Sequence, residues 1–177
     1  MNPPRSAFAS RREIADRFSS EARLFVEWAD GTSDPHALTA SVALRRVVAL
    51  YAAALSLPQP WSERVSNRRE PVADLTTCLA AVHRRAQAIP LQHYSEIFSP
   101  LVPQDAPVVG DLADDLKDIY ANIAAGLQMY DDDKIDDALW EWGFNFQAHW
   151  GEHASSAIRA LHCYLAQEDP TGLCSND

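Results

Sequence analysis

His149 and His153 stand four residues apart, a spacing that on a helix projects both imidazoles to one side, where they could share a metal ion as helical zinc sites do. Two ligands do not make a site. A third has to come from Glu152 or from the acidic stretch upstream, where Asp111, Asp114 and Asp118 fall on one helical face. Trp150, Gly151 and Glu152 lie between the histidines, so no glutamate follows the first histidine as the general base of an HExxH protease would. Asn145, His149, Glu152, His153 and Ser156 form a narrow polar stripe on the segment ALWEWGFNFQAHWGEHASSAIRALHCYL at 138–165, whose remaining circumference is apolar or aromatic.

A plainer reading competes with the metal site. Histidines beside Trp142, Phe146 and Trp150 are commonly border residues of a core, hydrogen-bonded to a neighbouring carboxylate. Asp111, Asp114 and Asp115 open their own helix, where the macrodipole favours negative charge, and would face water opposite Leu112, Leu116 and Ile119. No P-loop GxxxxGK signature, GxGxxG turn or GxSxG elbow is present. Magnesium-dependent carboxylate chemistry draws acids from several helices, whereas these crowd on one helix and one turn.

The scaffold expected around these residues is all-α. Ser10 and Glu13 make a capping box ahead of Ile14, Phe18, Ala22, Phe25 and Trp28, and Gly31 closes that helix. A second helix is expected from about His36 to Ser56, capped by Ser33 or Asp34 with Pro35 at its first position, and carrying Leu44, Val47, Val48, Tyr51 and Leu55 inward. A proline- and charge-rich loop follows, and Pro71 opens a third helix reaching Ala88. Residues 91–108, with Pro100, Pro103 and Pro107, read as an extended connection laying Tyr94, Ile97, Phe98 and Leu101 on the bundle. Two long helices, 110–130 and the aromatic segment, then form an antiparallel hairpin around the acidic turn Asp131–Asp133. The expectation is one helical domain over 1–167, an antiparallel four- or five-helix bundle, with a flexible tail at 168–177.

Composition narrows the function classes. Residues 1–90 carry twelve arginines and nine acids, while 91–177 carry Lys117, Lys134 and Arg159 against sixteen acids, so the halves stand at +3 and −13. An acidic C-terminal half argues against nucleic acid and suggests a basic protein partner or a cation, unless the two halves face each other in the fold. The longest apolar run, Val47 to Leu57, is too short to span a bilayer, and the arginine-bearing N-terminus lacks the apolar core of a secretory signal, which points to the cytoplasm. Cys78, Cys163 and Cys174 are an odd number without a CxxC pair, suiting a reducing compartment, and Cys163 is expected in the core.

PVVGDLADDLKDIY at 107–120, GLQMYD at 126–131 and ALWEWGFNFQAHWGEHASSAIRALH at 138–162 resemble the C-terminal signature of the domain of unknown function 5063 family. The resemblance implies a small, mostly helical bacterial protein and assigns no activity or cofactor. Two functions are therefore expected from different classes. The leading one is a non-enzymatic interaction module whose acidic hairpin docks a basic surface. The other is a metal-dependent hydrolase with His149 and His153 as ligands and Asp111, Asp114, Asp118 or Glu152 completing the shell.

Overall fold

The computed structural model describes residues 9–33, 38–60, 75–97, 101–103 and 105–174. Helix α1 (Arg11–Asp30) begins at the capping box, in which the Ser10 hydroxyl accepts from the Glu13 amide and the Glu13 carboxylate accepts from the Ser10 amide. Its inner face carries Phe18, Phe25 and Trp28, all almost fully buried. Helix α2 (Ala40–Ala54) starts later than the sequence suggested, capped by the Thr39 hydroxyl; Pro35 and His36 lie outside the described residues. Its buried side is Ala43, Val47, Leu50 and Ala54, while Val48 and Leu55 face solvent, so the inward stripe is rotated from the expected one. Small residues win that face because α2 packs against α6 (Gly151–Glu168), itself lined there with alanines. The described part of the third helix is α3 (Thr76–Ala86), and Pro71 lies outside it.

The connection before the hairpin is not merely extended. β1 (His93–Glu96) and β2 (Val108–Asp111) pair antiparallel, with Tyr94 opposite Gly110 and Glu96 opposite Val108. Strands of four residues are too short to show an alternation in sequence. Alternation still operates within β1, placing Tyr94 and Glu96 on its more buried side. Helix α4 (Leu112–Asp131) follows directly, capped by Asp111, whose carboxylate accepts from the Ala113 and Asp114 amides.

The aromatic segment is one helical run with an interruption. α5 (Ile135–Asn145) passes through a π-helical turn, Phe146–Trp150, into α6. Gly151 permits that turn, since a Cβ there would lie 2.2 Å from the Phe146 carbonyl oxygen. Trp142 and Trp150 are fully buried; the Trp142 indole donates to the Ile123 carbonyl, and that of Trp150 to the Trp142 carbonyl. Phe18 joins them, its ring 4.7 Å from Trp142, so α1 and the hairpin share one core. Past Gln167, where a loose tail was expected, α7 (Pro170–Cys174) lays Leu173 on the core, and the Ser41 hydroxyl donates to the Gly172 carbonyl. Cys163 is exposed, not core.

The two charged halves do meet. Arg11 pairs with Asp136 at 2.8 Å, Arg12 with Asp133 at 2.5 Å, and Arg23 with Asp131. Replacing the three arginines together by glutamine should lower the melting temperature more in low salt than in high salt, because exposed pairs are screened over about 10 Å at 0.1 M. Thermal melts at two ionic strengths read this, and an equal loss at both would mean the arginines act through packing.

Candidate functional site

α4 and the α5–α6 run are antiparallel, so positions that ascend on one meet positions that descend on the other. Trp142 meets Ile123 and Gly126, His149 meets Asn122, and His153 meets Asp115 and Asp118. The two imidazoles stand edge to face, 4.8 Å between ring centres. Asp118, His149 and His153 each offer one ligand atom, and these atoms lie within 4.8 Å of one another. Of the residues picked from the sequence, these three come together.

The others serve elsewhere. Asp111 caps α4 and faces His93 at 3.6 Å. Asp114 is bonded to Lys117 at 2.6 Å, which holds its carboxyl below the usual range against some opposing desolvation, with His83 and His153 adding to the effect. The Asn145 amide donates to the Glu141 carbonyl and carboxylate one turn back. Glu152 is exposed, and its backbone carbonyl accepts from Ser155.

Asp115 is what the sequence reading missed. It was assigned to the solvated face, yet it is 5% exposed and its Oδ1 lies 2.9 Å from His153 Nδ1. Its Oδ2 accepts from the Tyr94 hydroxyl. Spacing carried the signal: Asp115 falls between Leu112 and Ile119 on the apolar stripe of α4. The hydrogen bond to Asp115 is the main cause that raises the pKa of His153, aided by the charges of Asp115, Asp118 and Glu96 and opposed by partial burial. Burial, followed by the bond to Asp115, pushes the Tyr94 phenol far above its ordinary value.

His149 is held differently. The Asn122 amide nitrogen is 3.0 Å from His149 Nδ1 and also donates to the Asp118 carbonyl at 2.7 Å. An amide so anchored presents a donor to the ring and makes Nδ1 the acceptor in the metal-free chain; for His149 to ligate an ion the Asn122 amide has to turn, so that Nδ1–H donates to its oxygen and Nε2 carries the free lone pair. The π-helical turn containing His149 keeps this side chain exposed while Trp150 next to it is buried.

Fold and site together define a small helical-bundle protein with a histidine–carboxylate cluster between its last two long segments. The chain belongs to the family described as domain of unknown function (DUF5063), whose model matches residues 10–167, so the match extends from the C-terminal signature to nearly the whole chain. Among solved structures it is similar to protein BF1032 from Bacteroides fragilis, with a TM-score of 0.68 at 18% identity, covering 89% of this chain and 94% of that one. That likeness is one of fold. No curated protein matches the chain in sequence. No helix among the described residues is long and apolar enough to cross a membrane.

Proposed function

We propose that this protein binds a divalent transition metal through Asp118, His149 and His153, with metal-assisted hydrolysis as the chemistry open to it. The observation that carries this reading is the convergence of two imidazoles and a carboxylate from facing helices, one imidazole held from behind by the buried Asp115. A carboxylate behind a histidine orients the ring and raises its basicity, the usual support of a metal-ligating imidazole. Mixed nitrogen and oxygen ligands favour zinc or a similar ion over magnesium. Bond lengths of about 2.1 Å put tetrahedral ligands roughly 3.4 Å apart, so the cluster must contract by rotamer adjustment when it closes on an ion. Held by three protein ligands, such an ion would be free to take a water, and His149, being exposed, would leave it within reach of solvent.

The docking of a basic partner finds less support. Of the acids behind that expectation, Asp131, Asp133 and Asp136 already face Arg23, Arg12 and Arg11 of α1.

Protons and metal compete for His153. Because its pKa is raised above 6.5 in the folded chain, protonation contributes stability that is present below pH 6.5 and fades as pH climbs through the raised value. Metal needs the deprotonated ring, so its affinity grows over that same climb. Zinc titrations of metal-free protein between about pH 5 and 8 should show affinity rising with pH while the metal-free melting temperature declines slightly above pH 6.5. Zinc affinity that is flat across this range, or saturable binding that persists when both histidines are replaced, would overturn the assignment.

A further inference from the structure

Between β1 and α6 runs a cleft of about 310 Å³, walled by Leu91, Tyr94, Ile97, Ala160 and Tyr164. Glu96 lines it and is 8% exposed. Its Oε1 accepts from the Ser156 hydroxyl, and among the described residues no cation lies within ion-pair distance of it. A carboxylate can accept about four hydrogen bonds, so with the Ser156 hydroxyl as its protein donor Glu96 keeps acceptor capacity for water or a ligand in the cleft it lines. A cation entering the cleft would meet this carboxylate free of any ion pair among the described residues.

The walls indicate what else the ligand carries. Two tyrosine rings and three aliphatic side chains accommodate a short apolar body, and aromatic faces also attract an ammonium group. Arg159, exposed on α6 one turn beyond Ser156, lines the same cleft with the exposed Glu168 nearer the end of that helix, and Arg159 has no ion-pair partner among the described residues. Its charge repels a second cation and draws an anion. The volume sits at the small end of ligand pockets. We propose that this cleft binds a small amino-acid-like zwitterion, its ammonium on Glu96 and its carboxylate on Arg159.

Calorimetric titration of metal-free protein tests this without the metal site, since amino acids chelate metals themselves. L-leucine, L-valine and L-methionine serve as zwitterionic probes, isoamylamine as the amine alone and 4-methylpentanoate as the acid alone. At least one zwitterion should bind saturably, isoamylamine more weakly, and the acid not at all. Glu96→Gln should weaken zwitterion and amine about tenfold or more, as loss of a charged hydrogen bond does. Arg159→Gln should weaken the zwitterion and spare the amine. Cys163→Phe, changing an exposed residue on the cleft wall, should block both without touching the core. Failure of all three zwitterions to bind, equal binding of the acid, or undiminished binding in both Glu96→Gln and Cys163→Phe would overturn the proposal, whatever the zinc titrations give.

Discussion

Asp118→Ala and His149→Ala should each strip divalent metal from the untagged protein while leaving its melting temperature nearly unchanged. Both side chains are partly or fully open to solvent, so neither truncation leaves a cavity in the core. Each would remove a proposed direct ligand. The expected loss therefore exceeds the roughly 10- to 100-fold decrease typical of substitutions behind a ligand, which is the range anticipated for Asp115→Asn. His153→Ala should cost stability as well as metal, because it leaves the buried Asp115 carboxylate with the Tyr94 hydroxyl as its remaining partner. Asn122→Asp should act in the opposite direction: an aspartate there accepts a hydrogen bond from His149 Nδ1–H and leaves the Nε2 lone pair for the ion, raising zinc affinity. Elemental analysis of protein dialysed against zinc and then buffer reads the metal content of all five. A site that is structural only would give wild-type protein without metal, and Asn122→Asp would then add nothing.

The outcome for the site residues follows from what a helical wheel can and cannot see. The pair His149 and His153 was legible because i,i+4 neighbours need only local geometry, and Asp118 because the antiparallel hairpin brings α4 alongside. Asn145 and Glu152 were drawn on the same stripe by assuming 100° per residue from 138 to 165. The π-helical turn at Phe146–Trp150 inserts extra phase there, so residues before and after it no longer share one face. Glu96 and Tyr94 were not legible as site residues, since their place depends on pairing β1 with β2 across a connection rich in proline. The capping box at Ser10 and Glu13, by contrast, was read to the residue, because all its hydrogen bonds close within one turn.

The same hairpin makes its own energetic prediction, at Gly126. A Cβ added there would lie 2.1 Å from Trp142 Nε1, and this indole has nowhere to go, being fully buried and bonded to the Ile123 carbonyl at 3.2 Å. In an open helix, glycine to alanine is worth about 0.8–1.0 kcal/mol in favour of alanine. Steric overlap with a fixed ring should outweigh that gain, so Gly126→Ala is expected to destabilise by about 1–3 kcal/mol, the range of overpacked cores. Trp142→Leu by itself should also destabilise, by roughly the 3–5 kcal/mol seen for large truncations or somewhat less, because it empties the space where Phe18 and Tyr130 meet the ring. With leucine in place the clash is relieved and the intrinsic preference for alanine returns, so Gly126→Ala should become neutral or stabilising in the Trp142→Leu background. Urea unfolding of the two single variants and the double variant closes the cycle. A coupling near zero would mean that the hairpin adjusts by separating its helices instead of by ring displacement, and the close approach of α4 and α5 would then have no role in holding His149 and His153 opposite Asp118.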